Sequence, residues 1–111
     1  MSGGAAGSGS GGNGTGGGPG ASLEELARCR DEIERIDTRL IALLEERLAL
    51  GKRIGELKRA VGLPILDPER EAVIIRRAAT LARGAGIPSE PVREMFWQIV
   101  GMSRRAQEGQ E

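Results

Sequence analysis

The sequence predicts an all-α protein, a three-helix protomer with one very long N-terminal helix, completed by a second copy of itself. Three observations carry that prediction. From Leu23 to Val61 the chain has no proline, and Leu26, Ile33, Ile36, Leu40, Leu43, Leu44, Leu50, Ile54 and Val61 recur on three- and four-residue steps, the period of one helix face. Two shorter stretches downstream repeat that period behind helix-start signals. No segment shows the polar and apolar alternation of a strand.

Taken in order, the chain begins with "MSGGAAGSGSGGNGTGGGPGAS", residues 1–22, which hold eleven glycines, no charge and almost nothing that could be buried. Such a segment is expected to be a disordered glycine-rich tail, leaving 23–111 as one helical domain. Ser22 is placed to cap the first helix and Glu25 completes a capping-box pattern, while Gly62 and Pro64 end the run. At ~1.5 Å per residue this helix spans roughly 58 Å. A compact globule of 89 residues has a diameter of only about 30 Å, so the helix outruns any monomeric core. Its apolar stripe needs a partner, and the simplest is a second copy of the chain. The second helix opens at "LDPERE", with Asp67 as N-cap and Pro68 as first helical residue, and carries Ile74, Ile75, Ala78, Leu81 and Ala82 on one side before Gly84 and Gly86. The third starts with Ser89 as N-cap and shows Val92, Met95, Phe96, Ile99 and Val100.

Composition narrows the function. All thirty-two formal charges lie in 23–111, sixteen of each sign, so no broad basic field suits nucleic acid or an anionic membrane. The chain has neither a secretory signal nor eighteen consecutive apolar residues, and a soluble cytoplasmic protein is expected. With one cysteine, no histidine and no tyrosine, metal coordination and Ser-His or Cys-His nucleophiles are not expected.

Polar residues interrupt the apolar stripes. On a wheel of about 100° per residue, Arg47 falls at the centre of the first helix's stripe and Lys58 about 20° away. Gly51 and Gly55 lie between them on the same stripe, which reads as a hollow with a cation at each end. Arg30 sits ~100° off that axis, poorly aimed at this hollow but able to reach an equivalent one across an interface. Arg70 and Glu71 occupy the first turn of the second helix, and Ser103 and Gln107 extend the third helix's stripe by four-residue steps. Charged and polar groups near helix ends are ordinarily solvated, and for Arg70, Glu71, Ser103 and Gln107 the residues alone leave that reading open. Arg47 differs, because no Asp or Glu shares its stripe. An unpaired cation aimed at a core costs several kcal/mol, so an external anion accounts for it best.

The ordered set Arg30, Arg47, Lys58, Asp67, Arg70, Glu71, Ser103 and Gln107, spread over a long, a short and a medium helix, resembles the all-helical class of chorismate mutase from about Leu23 to Gln107. That resemblance implies an intertwined homodimer that converts chorismate to prephenate for phenylalanine and tyrosine biosynthesis, with no metal and no cofactor. It implies that Arg47 pairs with one substrate carboxylate and Arg30, contributed across the interface, with the other. Lys58 and Gln107 would donate to the ether oxygen, Asp67 and Glu71 would hold the ring hydroxyl, and Arg70 and Ser103 would complete the carboxylate-binding shell. Helical mutases can also associate with the first enzyme of the shikimate pathway. No stretch of these residues is left for an appended dehydratase, dehydrogenase or amino-acid-sensing domain, so intrinsic feedback control is not expected.

Two alternatives remain at this level. One is an isochorismate-pyruvate lyase on the same fold, whose pattern lacks carboxylates at the positions of Asp67 and Glu71. The other is a non-catalytic helical module that dimerises and regulates a larger enzyme.

Overall fold

The computed structural model describes residues 19–109, and all three helices are present: α1 spans Pro19–Val61, α2 Pro68–Gly84 and α3 Ser89–Gln107. No strand occurs among the described residues. Residues 1–18 of the expected tail lie outside them. The rest of that tail does not match the expectation: α1 begins at Pro19, so Ser22 is inside the helix and not its cap. A proline needs no hydrogen-bond partner for its nitrogen and its φ already suits a first turn, which lets the helix reach back to this point.

The other helix ends follow from their residues. Gly62, at φ 77°, closes α1, with Leu63 N–H donating to Lys58 O at 2.8 Å and Gly62 N–H to Arg59 O at 3.4 Å. This paired closure needs a left-handed residue, a conformation that costs glycine nothing. At the start of α2 the Asp67 carboxylate accepts the Arg70 N–H at 3.1 Å, with Pro68 in the first helical turn. Gly86, at φ 75°, closes α2 as Gly62 closes α1. Ser89 is the first residue of α3, one position later than an N-cap, and no side chain caps that helix.

The chain divides into two units at Leu43/Leu44. In the first, every residue from Ser22 to Leu43 is exposed. In the second, α2 packs on α3 through Ala78, Ala82 and Val92, with Phe96 against them. Ile75, Ala79, Val100 and Ala106 are also buried. Four of these buried apolar residues are alanines, so the helices approach closely but each contact removes little surface from water. The Leu44–Val61 part of α1 meets α3 through bare backbone. A Cβ built on Gly51 would lie 3.4 Å from Ser103 O, and one on Gly55 would collide with the backbone of Gln107. Gly55 is therefore occupied by α3 and does not form part of a hollow, which corrects the sequence-based reading of that glycine.

Candidate active site

Within the second unit a cavity of about 460 Å³ opens between the helices. Arg47 and Lys58 reach it from α1, Asp67, Arg70 and Glu71 from the N-terminal end of α2, and Ser103 and Gln107 from the last turns of α3. Leu50, Ile54, Ile65, Ile74 and Val100 supply apolar wall, and Gly51 also lines the cavity. Seven of the eight residues singled out from the sequence thus converge on one cavity. The eighth, Arg30, belongs to the first unit, is exposed, and is not among the lining residues.

Hydrogen bonds fix most of these side chains before any ligand arrives. Arg47 donates from Nη1 to the hydroxyl of Ser103, which is itself buried. Burial, and then the charge of Arg70, lowers the Arg47 pKa from its ordinary value. An arginine starts so far above neutrality that it stays charged regardless, and both effects raise the gain on meeting an anion. Lys58 Nζ donates to Gln107 Oε1 at 2.8 Å and to Ile65 O at 2.9 Å. An ammonium can only donate, so it holds the amide oxygen of Gln107 and leaves the amide NH₂ as that residue's free end.

The two carboxylates are already engaged. Asp67 caps α2. Glu71 accepts a two-pronged pair from Arg104, Nε to Oε2 at 2.9 Å and Nη2 to Oε1 at 3.0 Å. The Glu71 hydrogen bond and charge in turn raise the Arg104 pKa above its ordinary value. With both acids occupied this way, the cavity presents Arg47, Lys58 and Arg70 to an incoming ligand, a setting for a small anion with more than one negative group.

Sequence reasoning missed two residues. Arg104 is one: its partner Glu71 lies on another helix, and with Glu69 in the same first turn of α2 the sequence does not single out that pairing. Arg59 is the other: its Nη1 donates to Gln107 O at 2.7 Å, a backbone partner that no side-chain pattern advertises.

Residues 29–108 match the family model described as chorismate mutase type II. The chain is 41% identical over 81 residues to the bifunctional chorismate mutase/prephenate dehydratase of Aquifex aeolicus, covering 70% of this chain and 22% of that protein. It is 41% identical over 61 residues to the chorismate mutase of Methanocaldococcus jannaschii, covering 55% of this chain and 62% of that one. It thus spans less than two thirds of the length of these curated relatives. Among solved structures, a conserved hypothetical protein from Pyrococcus furiosus superposes with a TM-score of 0.61 at 35% identity, covering 75% of this chain and 95% of that one.

Proposed function

Because the chain belongs to the type II chorismate mutase family, we propose that it catalyses the rearrangement of chorismate to prephenate, in the cytoplasm and as an intertwined homodimer. No described helix is long and apolar enough to cross a membrane. The observation that carries the reading is the meeting of Lys58 and Gln107, from the ends of two helices, beside Arg47 and Arg70 in one cavity.

The reaction breaks a C–O bond and forms a C–C bond within one molecule, so it calls for no nucleophile, base or cofactor. What the protein supplies is conformation and charge. Arg47, pre-set by Ser103, takes one carboxylate in a guanidinium fork. Arg30 of a second copy takes the other, and Arg70 adds positive charge at the rim. Clamping both carboxylates holds the enolpyruvyl arm over the ring in a near-attack arrangement, a restraint worth up to several kcal/mol.

As the C–O bond lengthens, the ether oxygen gains negative charge. Lys58 has three N–H bonds and commits two, to Ile65 O and Gln107 Oε1; the third remains for that oxygen. The Gln107 NH₂, turned outward by the same contact, is a second donor. Both are in place beforehand, so they favour the transition state over the ground state without reorganising. Glu71, and Asp67 beside its cap, are the acceptors for the ring hydroxyl.

The homodimer reading rests on the first unit. Leu23, Ile33, Leu40 and Leu43 are each more than half exposed, and a bare amphipathic helix gains most of its stability from packing. Mixing the purified protein with chorismate, following loss of its absorbance and identifying the product tests the activity. Prephenate is the expected product. Salicylate with pyruvate from isochorismate would assign the chain to lyase chemistry, and no turnover of either compound would reject an enzymatic role.

A further inference from the structure

Arg104 lies outside the cavity lining, yet it makes the least exposed of the described ion pairs. Its side chain is 31% exposed and that of Glu71 15%, against 63% and 58% for Arg53–Glu56. The pair also joins two helices, α3 to α2, while the Arg53 and Arg93 pairs each stay within one turn of their own helix. The fork engages both oxygens of a carboxylate that lines the cavity. A carboxylate has about four lone-pair directions, so Glu71 retains acceptor capacity for a ligand hydroxyl while its orientation is fixed.

The neighbours of Glu71 show what the fork prevents. Lys58 and Arg70 line the same cavity. An untethered carboxylate there would pair with those cations and compete with an anionic ligand for them. We propose that Arg104 is a positioning residue: it holds Glu71 toward the substrate hydroxyl and away from the cations that must receive the substrate carboxylates. This inference rests on the chorismate mutase reading. It predicts that Arg104 acts only through Glu71.

The test is a double-mutant cycle on chorismate turnover, with KM and kcat measured separately. Arg104→Met should lower kcat/KM about tenfold or more, chiefly through KM, because a freed carboxylate opposes binding. Arg104→Lys, which keeps the charge but not the fork, should fall between that variant and the parent. In the Glu71→Gln background, Arg104→Met should cost no more than about a further twofold, because the group it restrains no longer carries charge. Circular dichroism accompanies each variant. If Arg104→Met does not fold, the same comparison with Arg104→Lys, alone and with Glu71→Gln, decides. Losses that multiply in the double variant, or an Arg104→Lys variant within the parent's error on both constants, would overturn the inference while leaving the mutase reading intact. A parent protein that does not turn over chorismate would overturn both.

Discussion

The two ends of α1 are built from the same kinds of residue and meet opposite fates. From Ser22 to Leu43 every side chain is exposed, including Ile33, Ile36 and Leu40. Past Leu44 the same helix buries Gly51 and Gly55 against α3 and turns Arg47 and Lys58 into a cavity. The first region has apolar side chains and no surface to bury them. The second has a surface but few large side chains inside it. Helix periodicity marks which residues want a partner, whereas small residues mark where one is close enough to touch.

The comparison breaks most sharply if the first region is denied its proposed partner. Ile36→Glu with Leu40→Glu removes two apolar contacts per chain, roughly 6–12 kcal/mol over a dimer, before the cost of burying charge. The variant should run as a monomer by light scattering, lose helicity and show no measurable turnover. A dimer of unchanged melting temperature would mean that these residues face solvent in the working protein.

In the second region the largest expected loss is that of Lys58→Ala. It should lower turnover about 10²- to 10³-fold, as removal of a preorganised donor does, with dimer mass and helicity retained. A rate within threefold of the parent would remove Lys58 from the chemistry. Gln107→Glu sharpens the same point through pH. In the parent, Gln107 is a neutral amide that donates at any ordinary pH, so its contribution to kcat/KM should not change from about pH 5 to 8. In the variant an ionised carboxylate offers only lone pairs to an oxygen gaining charge, so activity at pH 8 should fall at least about tenfold. Protonation restores a donor, and activity should climb as pH falls. Lys58, 2.8 Å from the Gln107 oxygen, favours the ionised form and confines that recovery to the acid side. A profile parallel to the parent's would place Gln107 away from the reacting oxygen.

The gentlest test joins the two regions. Inactive Arg30→Ala and Lys58→Ala proteins, unfolded together and refolded, pair at random, and about half of the dimers are mixed with one intact site each. About a quarter of the parent's activity should return. No recovery, with mixed dimers demonstrated by mass spectrometry, would place Arg30 outside the partner's site.

Much of this molecule was legible in its residues, for physical reasons that differ from place to place. The three helices were, because hydrophobic period and the signals at Asp67, Pro68, Gly62 and Gly86 act locally. Arg47 and Lys58 were, because a cation on an apolar stripe conflicts with folding unless something answers it. Asp67, Arg70, Glu71, Ser103 and Gln107 were singled out as site residues only through the family resemblance, since polar groups near helix ends are ordinarily solvated. The start of α1 was not: Ser22 looks like a cap, yet a helix continues where nothing stops it, and Pro19 permits a start further back. Gly55 was misread, since a missing side chain signals space without saying what fills it. Arg104 and Arg59 depend on which helices face each other, and one helix's pattern carries no record of its neighbour's.

Gln107 is the final residue of α3, where helices ordinarily fray. Here three neighbours on α1 hold it, through the Arg59 bond to its carbonyl, the Lys58 bond to its amide and the bare Cα of Gly55. Time becomes the relevant quantity. Under the proposed mechanism, any interval in which the last turn is open is one in which the ether oxygen lacks a donor, so hydrogen exchange at the amides of Glu108 and Gly109, bonded to Arg104 O and Ala106 O, would show how often that donor is in place.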